Sequence, residues 1–108
     1  MNYISTRNKN LKESSAFAIA NGISKEGGLF VPESIPKLSA EDFENLKKLD
    51  YCERAKYILS SFLTDFSDEE LEYCVKGAYC DTFDFDNPAP LAKLGENEYI
   101  LELWHGPT

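Results

Sequence analysis

The chain has 108 residues, enough for one domain with a modest core. Its 43% hydrophobic and 28% charged residues are typical of a globular protein, and no apolar run is long enough to span a membrane. The net charge of −8 argues against a nucleic-acid partner, because a phosphate backbone would be repelled. The first residues lack a secretory-signal pattern, so we expect a cytoplasmic protein without membrane association.

The charge is unevenly distributed along the chain. Residues 1–38 carry five basic and three acidic groups, residues 39–86 five and thirteen, and residues 87–108 one and three. We therefore expect the first segment to meet an anionic small ligand most readily. The acidic excess of the second segment is typical of solvent-exposed helix faces.

The three cysteines, Cys52, Cys74 and Cys80, form an odd set without a close pair. This predicts reduced thiols rather than a disulfide framework. Cys52 and Cys74 lie in amphipathic helical patterns, where a small buried side chain is expected. Even with His105, the set lacks the closely spaced cysteine pair of a zinc site, so no metal site is predicted.

The first third of the chain predicts short elements separated by turns. Residues 2–6 predict a strand, and residues 15–21 predict a short apolar helix that ends at Gly22. The glycine pair 27–28 predicts a turn before a second apolar strand. Two prolines then keep the chain extended up to residue 39.

Three helix starts carry capping signals. Ser39, Asp50 and Ser67 are each followed three residues later by a carboxylate. Apolar residues at helical spacing follow each start, and we expect them to form the core together with Phe17, Ile19 and Phe30. The three stripes are Phe43, Leu46 and Leu49; Tyr51, Ala55, Ile58, Leu59, Phe62 and Leu63; and Leu71, Cys74, Val75, Ala78 and Tyr79.

The end of the chain predicts a hairpin, with strands at 91–94 and 99–103 around a turn at 95–98. The second strand leads directly into His105 and a Gly-Pro-Thr sequence, a position where α/β proteins often place functional groups. From the residues alone, His105 is either a general base or a structural histidine. Glu98 and Glu102 share one strand face and form a candidate carboxylate pair.

Four motifs give the chain a family resemblance. They are STR at 5–7, GGLFVP at 27–32, IP at 35–36 and ELWHGPT at 102–108. Together they resemble the amino-terminal domain of threonine synthase over essentially the whole chain. The resemblance implies a small α+β domain with short strands and about four helices at 1–86. The start of a fold-type-II catalytic domain, dependent on pyridoxal phosphate, would follow at 87–108.

The resemblance implies an enzyme that converts O-phospho-L-homoserine and water into L-threonine and phosphate. In that family the lysine that binds pyridoxal phosphate as a Schiff base follows shortly after the His-Gly-Pro-Thr sequence. It would therefore lie beyond Thr108. The expected consequences are that these 108 residues contain no catalytic residue, do not bind the cofactor covalently and are inactive alone.

Two sets of residues become candidates for site roles through the resemblance. Ser5, Thr6 and Arg7 offer hydroxyls and a planar guanidinium to the substrate phosphate, within the net-positive segment. The second set would form the active-site wall beside the cofactor, where glycine permits close approach of the backbone. This set is His105, Gly106 and Thr108.

Two alternatives remain open. The chain could be a non-catalytic lid or docking module, with residues 39–86 forming a helical face for another domain. It could also belong to a phospho-lyase of the same family, which eliminates phosphate without making threonine. For the enzyme, the expected partners are O-phosphohomoserine and the remainder of its own chain, with neither nucleic acid nor membrane.

Overall fold

A computed structural model describes residues 1–80, 82–83 and 87–105. It confirms the expected α+β class with four α-helices and short strands. The elements, in order, are β1 (Tyr3–Ser5), β2 (Lys12–Glu13), α1 (Ser15–Asn21), β3 (Phe30–Pro32), α2 (Ala40–Leu46), α3 (Tyr51–Ser60), α4 (Asp68–Val75), a π-helical turn (Lys76–Cys80), β4 (Leu91–Lys93) and β5 (Tyr99–Leu101).

The first three strands form an antiparallel sheet in the order β2-β1-β3. β1 is central, with Tyr3 opposite both Glu13 and Pro32, and Ser5 opposite Phe30. The strands predicted at 2–6 and before Pro32 are confirmed. β2 was not predicted, because two polar residues carry no alternating pattern.

Helix α1 has the predicted bounds. Its N-cap is Ser14, and it ends before Gly22, whose φ of 66° is a conformation that L side chains rarely adopt. Asp65, from the loop after α3, accepts hydrogen bonds from the backbone nitrogens of Ser15 (3.2 Å) and Ala16 (3.0 Å) and from the Ser15 hydroxyl. A distant carboxylate therefore completes the start of this helix.

All three predicted capping signals are confirmed. In each helix the cap side chain accepts from the backbone nitrogen three residues later, and that residue's carboxylate accepts from the cap nitrogen. Two backbone N–H groups that the helix leaves open are thereby satisfied at each start. The pairs are Ser39 with Asp42 in α2, Asp50 with Glu53 in α3, and Ser67 with Glu70 in α4.

The apolar core is smaller than the stripes predict. Among the described residues, the buried hydrophobic side chains are Ala18, Leu71 and Val75. Phe43 and Ile19 were predicted to be buried, but they are 55% and 63% exposed. Their faces are left uncovered because short helices pack here mainly as the pair α3 and α4.

Two further differences concern helix lengths. The stripe predicted to continue to Leu63 extends past the end of α3 at Ser60. The stripe predicted to continue to Tyr79 enters the π-helical turn, which widens the helix after Val75. That change of pitch breaks the regular spacing, and Ala78 is exposed.

Two predictions for the cysteines are wrong, namely that all three are reduced and that Cys74 is buried. Cys52 and Cys80 form a disulfide, with their Cα atoms 6.4 Å apart, and Cys74 is a free, exposed cysteine rather than a buried one. The two bonded residues are 28 positions apart in sequence, so the spacing shows no close pair. The π-helical turn brings Cys80 to the first turn of α3, which a regular helical reading does not anticipate.

The predicted hairpin is confirmed, with β4 and β5 antiparallel and Leu91 opposite Leu101. β5 ends at Leu101 rather than at 103, although the Glu102 nitrogen still donates to the Pro90 carbonyl at 2.9 Å. Leu91, Leu101 and Leu103 are 65%, 50% and 70% exposed. The hairpin thus presents apolar side chains on its surface.

No helix in the described part of the chain is long and apolar enough to cross a membrane.

Candidate functional site

Two hydroxyls are enclosed where β1 meets the glycine turn. Ser5, the last residue of β1, is fully buried, and Ser24 is 5% exposed. Their oxygens lie 3.0 Å apart. The Ser24 hydroxyl donates to the Gly28 carbonyl at 2.9 Å and accepts from the Gly28 nitrogen at 3.1 Å. The turn is therefore stabilised by side-chain hydrogen bonds as well as by its backbone.

Gly28 is at this place because a side chain does not fit. A Cβ atom there would be much closer to the Ser5 hydroxyl oxygen than van der Waals contact allows. It would also lie 3.0 Å from the Arg7 backbone nitrogen. The preceding Gly27 has a φ of 82°, a conformation that glycine adopts without steric cost. The paired glycines thus allow close approach to β1 and reversal of the chain.

Arg7 and Thr6 leave β1 beside the same turn. The Arg7 backbone nitrogen donates to the Ser5 hydroxyl at 3.2 Å, and its Nη1 donates to the Glu26 carbonyl at 3.0 Å. The Thr6 hydroxyl accepts from the Leu29 nitrogen at 3.0 Å. The structure therefore brings the three predicted phosphate candidates to one turn. Each already has a hydrogen-bond partner in the protein.

Glu26 adds a carboxylate to this group. A hydrogen bond from the Ser5 hydroxyl is the main cause that holds the pKa of Glu26 below its ordinary value. The Ser24 hydroxyl and the positive charge of Arg7 act in the same direction. The site therefore combines two buried hydroxyls with an exposed guanidinium and an exposed carboxylate.

The second group of candidate residues lies after β5. His105 Nε2 is 2.6 Å from Glu102 Oε2, and the two side chains are 19% and 25% exposed. Glu102 is fixed by its backbone bond to Pro90, so it can orient the imidazole ring. The Trp104 ring lies next to that of His105, with centroids 5.8 Å apart.

Glu98 and Glu102, predicted to form a carboxylate pair on one strand face, have different partners in the structure. Glu102 turns to His105, whereas the Glu98 carboxylate lies at the hairpin turn beside Gly95. Gly106 and Thr108, the other two wall candidates, lie outside the described residues. Their placement beside a cofactor stays a prediction.

Two residues of the first group were not found from the sequence. Ser24 and Glu26 lie in the turn, and their contacts with Ser5 and Arg7 are made across 19 positions of the chain. The available signal was local: polar residues directly before a glycine pair commonly form turns stabilised by side chains. That signal does not name the partner strand.

Comparison with protein families gives a match over most of the chain. The family model described as Threonine synthase N terminus matches residues 2–79. Threonine synthase from Pseudomonas aeruginosa is 34% identical over 109 residues, covering 100% of this chain and 23% of the relative. Threonine synthase-like 1 from Mus musculus is 36% identical over 117 residues, covering 98% of this chain and 16% of that protein.

Solved structures give the same result. The crystal structure of threonine synthase from Escherichia coli matches with a TM-score of 0.85 and 34% identity, covering 100% of this chain and 24% of that one. The pyridoxal-phosphate-bound threonine synthase from Brucella melitensis matches with a TM-score of 0.89 and 34% identity, covering 99% and 23%.

Nearly all of this chain aligns with these curated relatives. It spans less than a quarter of the length of each of them. The family match covers the sheet, α1 to α4 and the turn that holds Ser5 and Arg7. The chain belongs to the threonine synthase amino-terminal domain family.

Proposed function

We propose that this chain is the amino-terminal part of a threonine synthase, an enzyme that converts O-phospho-L-homoserine and water into L-threonine and phosphate with pyridoxal phosphate. The family match over residues 2–79 carries this proposal. The pyridoxal-phosphate-bound relative with a TM-score of 0.89 supports the cofactor. As part of the same proposal, we place this reaction in the cytoplasm.

The exposed hairpin supports a role inside a larger enzyme. Leu91, Leu101 and Leu103 are each at least half exposed on this short two-stranded unit, which is weakly stable without further packing. A catalytic part of the same enzyme would cover these side chains. The expected partner is therefore the remainder of the enzyme, and the small-molecule substrate is bound by both parts.

The chemistry of the residues after β5 fits one side of a cofactor site. An imidazole held by a carboxylate, next to an indole ring, offers a hydrogen-bonding group and a flat surface to an aromatic ring. When bound, pyridoxal phosphate draws electrons from the bonds at the substrate Cα, which permits proton removal and loss of the γ-phosphate. In this proposal His105 lines the site and Glu102 sets the orientation of its ring.

The anchoring lysine belongs to the part of the enzyme that this chain does not contain. Lys93, the lysine nearest to His105 in the sequence, lies on β4 of the hairpin. We therefore expect the 108 residues alone to be inactive and to form no covalent adduct with the cofactor. Borohydride treatment with pyridoxal phosphate, followed by peptide mass mapping, tests this. Specific labelling of a single lysine would contradict it.

Arg7 is the residue of this chain that we assign to the substrate phosphate. Ser5 is enclosed and Thr6 is bonded to Leu29, so these two hydroxyls hold the turn. Arg7 is exposed, and its anchor on the Glu26 carbonyl uses Nη1 while the guanidinium has further N–H donors. A charge-assisted pair of hydrogen bonds to phosphate then requires arginine rather than lysine.

A chimeric enzyme tests the proposal. Residues 1–108 replace the aligned segment of Pseudomonas aeruginosa threonine synthase, and threonine formation is compared with that of the parent enzyme. We expect kcat and KM to lie within about tenfold of the parent values. Each change then corresponds to a free-energy difference of at most about 1.4 kcal/mol. A chimera that folds and binds pyridoxal phosphate but forms no threonine would instead support a non-catalytic docking module.

The role of Arg7 is tested in the same chimera with inorganic phosphate as the inhibitor. Arg7→Lys and Arg7→Ala should weaken phosphate inhibition by about 10- to 150-fold, because a charged hydrogen bond is lost. Lys9→Ala is the matched control, since it removes a nearby positive charge that is also exposed. Unchanged inhibition in both Arg7 variants would show that the phosphate pocket does not include Arg7.

A phospho-lyase of the same family is the second candidate function. Such an enzyme would release phosphate without forming threonine. The amounts of threonine and phosphate formed by the intact enzyme separate the two activities.

A further inference from the structure

Cys52 and Cys80 form a covalent link between two neighbouring elements. Cys52 is the second residue of α3, and Cys80 is the last residue of the π-helical turn. The link is reinforced by the adjacent rings of Tyr51 and Tyr79, whose centroids are 5.4 Å apart at an angle of 71°. The disulfide thus holds the start of α3 against the end of the turn.

The surroundings favour exchange at this disulfide. Cys80 is exposed, so a small thiol can reach its sulfur. Cys52 lies in the first turn of α3, where the partial positive charge of the helix end stabilises an anionic sulfur. Lys56 and Lys76 line the same cavity, although both also form ion pairs with Glu72.

Two carboxylates at the start of α3 disfavour an anionic sulfur by charge repulsion, but both accept hydrogen bonds from the backbone. Asp50 accepts from the Glu53 nitrogen at 2.8 Å, and Glu53 accepts from the Asp50 nitrogen at 2.9 Å. Their charges are therefore partly offset by backbone N–H groups. Cys74, the free thiol, is exposed on α4 and does not line this cavity.

We infer that Cys52 and Cys80 are a reversible thiol-oxidation site whose partner is a low-molecular-weight disulfide such as glutathione disulfide. The thiolate of Cys80 attacks the small disulfide and forms a mixed disulfide, which releases one small thiolate. The thiolate of Cys52 then attacks the Cys80 sulfur and releases the second. The protein loses two electrons and two protons, and the small disulfide is reduced to two thiols.

The expected consequence is a large change in domain stability. Closing a loop between residues 28 positions apart restricts the unfolded chain. By the chain-entropy relation, the unfolding equilibrium constant falls by about 400-fold on oxidation. After reduction, only noncovalent packing holds the start of α3 against the π-helical turn. That packing includes the Tyr51–Tyr79 pair.

The site is tested by equilibrating the 108-residue chain in buffers of varied glutathione ratio, followed by alkylation and mass spectrometry. We expect Cys52 and Cys80 to lose alkylation together as the buffer becomes oxidising, with Cys74 alkylated or glutathionylated but never cross-linked to either. A peptide linked through Cys52 and Cys80 should appear in the same samples. Three alkylated thiols at every ratio would overturn the inference.

Urea titration of the oxidised and reduced chain measures the consequence. The oxidised wild-type chain should have the higher midpoint, and this difference should vanish in Cys52→Ser but persist in the control Cys74→Ser. Comparison of the two redox states of the wild-type chain keeps the test valid if Cys52→Ser does not fold. Equal midpoints for oxidised and reduced wild type would contradict the inference.

Discussion

Replacement of Gly28 by alanine should destabilise the domain far more than its small size suggests. The new Cβ would displace the Ser5 hydroxyl from its fully buried position next to Ser24. An unsatisfied buried hydroxyl costs about 1–3 kcal/mol, and the steric shift adds about 1–3 kcal/mol. We therefore expect Gly28→Ala to lower the free energy of unfolding by about 2–6 kcal/mol, a large part of the stability of a small domain.

Equilibrium urea unfolding followed by circular dichroism measures this loss against two matched glycine variants. Gly77→Ala, where nothing beyond the adjoining backbone lies within 4 Å of the new Cβ, should change stability by less than about 1 kcal/mol. Gly22→Ala also has open space but a φ of +66°, so it should cost about 1–2 kcal/mol from the backbone alone.

A double variant separates the two parts of the estimate. If the Ser5 hydroxyl is the atom displaced, Ser5→Ala should reduce the additional cost of Gly28→Ala, so that the two effects are not additive. A Gly28→Ala chain with the stability of the wild type would refute the close packing of the glycine turn against β1.

Other substitutions distinguish core, surface and charge effects. Leu71→Ala should cost about 2–5 kcal/mol because Leu71 is 3% exposed, whereas Phe43→Ala should change stability little because Phe43 is 55% exposed; urea titration compares them. Ser67→Ala removes the cap of α4 and should cost about 1 kcal/mol in the same assay. Burial tends to raise the pKa of Asp65, but hydrogen bonds from Ser15 and Ala16 outweigh it and lower that pKa. The stability that Asp65 contributes is therefore present above its unfolded-state pKa and lost as the pH falls through its folded-state pKa. The difference in unfolding free energy between wild type and Asp65→Asn should thus shrink towards acid pH. A difference independent of pH would contradict the role of the carboxylate.

Local chemistry made much of the fold predictable. The capping boxes at Ser39, Asp50 and Ser67 depend on residues three positions apart, and each formed as predicted. Gly22 ended α1 because its backbone conformation favours glycine. These features require no knowledge of the rest of the chain.

Long-range contacts were not predictable in the same way. The Asp65 contact to α1 spans 50 positions, and the Cys52–Cys80 bond depends on a π-helical turn that hydrophobic spacing does not reveal. Phe43 and Ile19 are exposed because no other element of the described structure covers their helix faces. Periodicity predicts an apolar face but does not show which faces are covered.

The candidate site shows the same division. The motif at 5–7 and the glycine pair were recognised from the sequence, but the sequence does not show that Ser24 binds Ser5 and that Glu26 anchors Arg7. His105 was identified from its place after a strand, and its pairing with Glu102 depends on the geometry beyond β5.

The products that the intact enzyme carrying this domain forms from O-phospho-L-homoserine show whether it is a threonine synthase. Threonine and inorganic phosphate are quantified in the same reaction, with pyridoxal phosphate supplied. We expect equal amounts of the two products. Phosphate release without threonine, or no turnover by an enzyme that is folded and loaded with cofactor, would contradict it.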